Sequence, residues 1–297
     1  MIRNIDFKLA WKPLLAVTVW GLSFIATKIA LQELNPLIII NIRLGLSIPL
    51  LGTLAFLSKR SFKISLKQSM MILLLALISI LHLMIQVTGL KYTSAANTGW
   101  IIGTAPIFIV VLGWIILKEK ITLKQFFGIL VSAGGLFLLI SKGDIKSVSF
   151  ISGYGDLLIL ASCATWGFFS IVNRKISLNY SPLMSTFYLF VFMAFITLPL
   201  IISRETISSL MNLSPKVIFA LLFLGIFCSG LGYALWAKAL SEMPSANVAS
   251  FLYIEPFITF FGAWLILGEP ITAIIVISGL IIMSGIYFVN AAGKTRP

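Results

Sequence analysis

One apolar stretch occurs twice in this chain, and nothing else in the sequence limits its fold as much. Residues 94–122 read SAANTGWIIGTAPIFIVVLGWIILKEKIT, and residues 245–272 read SANVASFLYIEPFITFFGAWLILGEPIT. At an offset of 150, Ala96 aligns with Ala246, Asn97 with Asn247, Pro106 with Pro256, Trp114 with Trp264 and Glu119 with Glu269. Each copy has a proline in its middle and a glutamate at its far end. Only the second places a carboxylate, Glu255, directly before the proline; Ala105 holds the matching position in the first.

Runs of this length and apolarity recur along the whole chain. With 59% hydrophobic and 10% charged residues, against about a quarter charged in a globular chain, a soluble domain is excluded. Ten segments are long enough to cross a hydrocarbon core of about 30 Å: 13–31, 37–57, 70–90, 95–117, 123–140, 157–173, 183–202, 217–240, 246–267 and 271–291. The fold class is an all-α polytopic membrane protein. Trp20 and Lys28 interrupt the first run, which therefore reads as a span and not as a removable leader.

The net charge of +13 does not point to nucleic acid, because no basic run exceeds two residues. It follows membrane topology instead. With the N-terminus inside, fifteen of the 22 Lys and Arg fall on the inner face, five on the outer and two, Lys28 and Arg43, within spans. Both termini are expected to be cytoplasmic.

The duplication reaches further at an offset of 146, where Trp20-Gly21 aligns with Trp166-Gly167 and Pro36 with Pro182. Residues 1–141 and 152–293 are thus two five-span repeats. Five is odd, so the second repeat enters the membrane from the opposite side. Inverted repeats around a midplane site are a common transporter plan.

With these residues in view, the chain resembles the EamA-type, ten-helix branch of the drug/metabolite transporter superfamily. The resemblance rests on Trp20-Gly21 with Lys28, Gly155-Asp156, Trp166-Gly167, GLGYALWAKAL at 230–240, and both proline-to-glutamate stretches. It covers essentially the whole chain. It implies a secondary transporter of the cytoplasmic membrane that exports amino acids or other small amphipathic metabolites.

Glu255 is the tenth residue of a 22-residue span, about 14 Å deep at 1.5 Å per residue. A charge there costs roughly 2.5–3.5 kcal/mol and is usually paired or faces a cavity. It can serve as a coupling or substrate-orienting carboxylate, or as one side of a fixed ion pair with Arg43 or Lys28. His82 lies mid-span with Gln86 one turn on along the same face, and its ordinary titration range would suit a proton-linked step. Arg43 and Lys28 could each bind a carboxylate in a cavity or snorkel to the surface, and Arg43, the deeper, is the better site candidate. Trp20, Trp100, Trp166, Tyr233, Trp236 and Tyr253 could wall an aromatic cavity or face lipid. Aromatics at comparable places in the resembled family line the central cavity, which favours Trp100 and Trp166. Asn97 suits either a helix cap or a substrate contact, and Pro106 and Pro256 suit a shared hinge. Trp114 and Trp264 fit interface anchors, and Glu119 and Glu269 fit helix capping.

No metal site follows from one histidine and two distant cysteines, Cys163 and Cys228. Gly293-Lys294-Thr295 lacks the first glycine of a phosphate loop, and Gly230-x-Gly232 lacks the third glycine of a dinucleotide motif. No cofactor is expected, and no enzymatic activity: an intramembrane enzyme would need a catalytic pair that is not visible. The partners expected are a small-molecule substrate and the bilayer, and monomer and homodimer both stay open. Uptake and uncoupled diffusion remain alternatives to export.

Overall fold

In a computed structural model of the chain, residues 7–118, 121–141, 153–177, 181–242 and 250–292 are described. They form helices α1 (Phe7–Ala30), α2 (Pro36–Leu57), α3 (Leu66–Tyr92), α4 (Ala95–Ile102), α5 (Ala105–Leu117), α6 (Leu123–Ser141), α7 (Tyr154–Ser177) and α8 (Pro182–Thr197). After these come α9 (Arg204–Met211), α10 (Pro215–Leu222), a π-helical segment Phe223–Gly232, α11 (Tyr233–Glu242), a 3₁₀ turn Ser250–Ile254, α12 (Glu255–Leu267) and α13 (Ala273–Ala292). No strand occurs among the described residues. Six helical stretches are long and apolar enough to span alone, and α4 with α5 makes a seventh, bent by 40°. Helices lie at all ten expected spans. The short α9, between the seventh and eighth spans, was not expected.

The broken spans explain themselves locally. Both prolines fall in the first turn of a new helix, α5 or α12, where a missing N–H costs nothing and the fixed φ suits helix initiation. Span four stops at Ile102 and restarts at Ala105; span nine passes from a 3₁₀ turn into α12 at Glu255. The expected mid-helix kink is therefore a junction between two helical pieces.

The chain divides into two compact units, residues 1–84 with 173–255 and residues 85–172 with 256–297. Each unit takes elements from both sequence repeats.

In the first unit, α1 packs along α10, the π segment and α11, while α2 packs on the π segment and α8. Glycines permit the approach: a Cβ on Gly225 would meet the Leu46 side chain at 2.5 Å, and one on Gly230 would meet Leu50 at 2.5 Å. Polar contacts mark the two ends of the bundle. At one, Glu33 accepts from the Ser214 N–H (2.9 Å). At the other, Lys12 pairs with Glu242, and the Tyr188 hydroxyl donates to the Phe62 carbonyl (2.5 Å). α1 and the α10–α11 stretch accordingly run antiparallel.

The second unit is built on α6 against α13, helices that correspond in the two repeats. Gly135 faces Ile281 and Ile282, Gly285 faces Ser132 and the Gly128 carbonyl, and Ser132 Oγ donates to the Ile282 carbonyl (3.0 Å). Small residues let backbones approach where lipid removes any hydrophobic drive between helices. Large apolar side chains face outward throughout, including Leu66, Leu123, Phe195 and Leu265. Such a surface is stable only against lipid. Trp114 and Trp264, the aligned pair, are both half-exposed, at 53% and 50%.

Candidate substrate site

The first unit gathers four of the residues singled out in the sequence. Trp20 of α1 donates its indole N–H to the Cys228 carbonyl (3.0 Å), and Gly232 makes room, since a Cβ there would lie 2.8 Å from Trp20 Nε1. π-Helical turns are often found at functional sites. The Cys228 thiol donates to the Val19 carbonyl (3.1 Å), fastening the same two elements. Next along the segment, Ser229 Oγ accepts from Arg43 Nε of α2 (3.2 Å).

Beyond the π segment, Tyr233 lies edge-on to Trp20 (5.3 Å between centroids), and Trp236 is tilted against it at 5.2 Å. Phe190 of α8 meets Tyr233 edge-on at 5.2 Å. Arg43 and Glu255 both act electrostatically on Cys228 and on Tyr233. A cation and a carboxylate of opposite repeats thus act on the same tyrosine of this aromatic cluster. Glu255 is the first residue of α12, where the helix dipole favours negative charge.

His82 is buried on α3, with 6% of its surface exposed, and Gln86 one turn on is partly exposed. His82 and Glu255 are each engaged by neighbouring groups. Tyr253 sits, partly exposed, in the 3₁₀ turn before Glu255.

In the second unit, Trp100 is 2% exposed. It packs against Phe257 and Phe260 of α12, and Gly279 of α13 lies so close that a Cβ would approach the indole to 2.4 Å. Among the described residues its N–H has no hydrogen-bond partner. Trp166 is partly exposed and stacks on Phe169. Asn97 donates through Nδ2 to Asp156 (3.3 Å), and its own N–H is capped by Ser94 Oγ (2.9 Å). Thr93 also bonds Asp156. Glu269 accepts from the N–H groups of Ala95 and Ala96 at 2.8 and 2.9 Å. The N-terminus of α4 is therefore satisfied by the expected glutamate, 173 residues from Ala96 in sequence. Glu119, its counterpart, lies outside the described residues.

Sequence reasoning did not single out Ser229, nor Asp156 as a contact of Asn97. Asp156 was visible only within the Gly155-Asp156 pair. Ser229 carried no signal beyond being polar in an apolar run.

An all-helical, multi-pass membrane protein with a cation, a carboxylate and clustered aromatics inside its spans has the anatomy of a small-molecule transporter. The chain belongs to the EamA-like transporter family, of the drug/metabolite transporter superfamily, which matches residues 10–141 and 153–291. It is similar to an uncharacterized transporter of Archaeoglobus fulgidus, 30% identical over 94% of this chain and 96% of that protein. It is also similar to a probable amino-acid metabolite efflux pump of Salmonella typhimurium, 27% identical over 94% and 93%, and to one of Escherichia coli, 25% identical over 94% and 93%. A solved crystal structure shares the fold with a TM-score of 0.66 at 16% identity, covering 97% of this chain and 98% of that one.

Proposed function

We propose that this transporter exports amino acids or closely related zwitterions across the cytoplasmic membrane by alternating access, with both termini in the cytoplasm. The observation that carries the substrate class is a cation and a carboxylate, Arg43 and Glu255, that both act electrostatically on Cys228 and on Tyr233. Arg43 spends only Nε on Ser229, and its two terminal nitrogens suit the two oxygens of a substrate carboxylate. Glu255 suits the ammonium group. Trp20, Tyr233 and Trp236 supply an apolar wall for a side chain and faces for a cation. The names of two relatives, probable amino-acid metabolite efflux pumps, point the same way.

Glu255 and His82 are the groups that can carry a coupled proton. Proteoliposomes loaded with radiolabelled amino acids test this reading. Efflux driven by an imposed pH gradient is the expected result. Flux indifferent to the gradient removes proton coupling, and flux of uncharged metabolites alone removes the zwitterion assignment. An export screen with toxic amino-acid analogues would then identify the substrate.

A further inference from the structure

The connection between α2 and α3 carries Lys59, Arg60 and Lys63, and the first turn of α3 carries Lys67, all exposed. No Asp or Glu occurs in the sequence between Glu33 and Glu119, so Lys59, Arg60 and Lys67 have no acidic neighbour along this stretch of the chain. The loop is also built. Ser58 and Arg60 donate their N–H groups to the Leu54 and Ala55 carbonyls, both at 3.0 Å, and Lys59 takes a left-handed conformation at φ 51°. Ser65 and Gln68 cap α3 reciprocally. Midway, Phe62 stands edge-on to Phe187 at 5.7 Å, and its carbonyl is held by the Tyr188 hydroxyl.

The flanks of the loop are apolar and outward-facing. Phe56 and Leu57 at the end of α2 are 73% and 70% exposed, and Leu66 and Met70 at the start of α3 are 78% and 64% exposed. Such a collar belongs in the acyl region, which puts the four cations one step further out, at the depth of lipid headgroups. Basic clusters placed directly beside spans attract anionic lipid.

We propose that the 58–67 loop is a binding site for anionic phospholipid. The headgroup phosphate lies against Lys59, Arg60 and Lys67, and the acyl chains lie on the collar of Phe56, Leu57, Leu66 and Met70. A free phosphate would meet the same cations but could not use the collar.

The test compares thermal unfolding and lipid retention of the full chain in dodecyl maltoside. Phosphatidylglycerol, phosphatidylcholine or inorganic phosphate is added in separate arms. Phosphatidylglycerol alone should raise the midpoint and survive into native mass spectra. Replacing Lys59, Arg60 and Lys67 by Gln should weaken the preference for phosphatidylglycerol over phosphatidylcholine roughly fivefold for each cation removed. Changing Lys59 and Lys67 to Arg should preserve it. A Gln variant that keeps the preference overturns the site, and so does an equal response to inorganic phosphate. If the Gln variant fails to fold, the wild-type chain still decides: a preference unaffected by 0.5 M salt, taken as roughly a 4 Å screening length, overturns it.

Discussion

At the scale of single residues, the transport proposal rests on Glu255 and Arg43. Glu255→Gln keeps the shape and removes the charge, so transport should fall at least about tenfold, the effect of roughly 1.4 kcal/mol, and its pH dependence should flatten. Flux in proteoliposomes across pH 5–8 checks both. If Glu255→Gln and His82→Ala each leave transport and its pH dependence intact, these residues are not the site. Trp20→Phe retains the ring contacts to Tyr233 and Trp236 but loses the bond to the Cys228 carbonyl, with an expected stability loss of about 1 kcal/mol. Gly279→Ala presses a methyl group into the buried Trp100 indole. Overpacking of this kind costs about 1–3 kcal/mol, which thermal unfolding in detergent would register.

At the scale of elements, α4 depends on a carboxylate from beyond the far end of α12. Glu269→Gln keeps one neutral acceptor oxygen for the Ala95 and Ala96 N–H groups and sets an amide NH2 donor against the other. A loss of about 1–2 kcal/mol is expected, together with faster hydrogen exchange at both amides. The bundle ends of the first unit respond to pH. The Ser214 hydrogen bonds hold Glu33 below its usual value of 4.5, and Lys12, then Lys238, do the same for Glu242. Their contribution is fully present above pH 4.5 and is lost as pH falls through the depressed values. Unfolding midpoints between pH 6 and 3 should drop, and Glu242→Gln should remove part of that slope. The sequence announced the glutamate cap because it appeared twice at matching span ends. It could not announce the π segment, whose wide turns answer to packing against α1 and α2 and to no residue pattern of their own.

At the scale of the whole molecule, the helices were legible because apolar length is dictated by the bilayer alone. Trp20, Arg43, Tyr233 and Glu255 were legible one at a time, as polar or aromatic groups in apolar runs. Their convergence was not, because it depends on how α1, α2 and the α10–α11 stretch pack over sequence separations near 200. Trp100 was likewise legible as an aromatic within a span, but not its burial against Gly279. The threading of the first unit also yields a test of topology. Cysteines placed at Ser61 and at Asn212 should be labelled by impermeant reagents from opposite sides of the membrane, with Ser61 on the side of the termini. Labelling of both from one side would reverse the order of the spans.

The π segment also sets a phase. Each residue advances an α-helix by about 100°, so the faces presented by α11 depend on how many residues the wider turns absorb before Tyr233. Removing Ile226 while the wide turns persist would swing every later side chain back around the axis by nearly one residue's step. Tyr233 and Trp236 would leave Trp20, and Glu242 would leave Lys12, although no contacting group had been altered. This stretch of the chain is therefore more sensitive to length than to composition, and a deletion there should abolish transport where a conservative substitution would not.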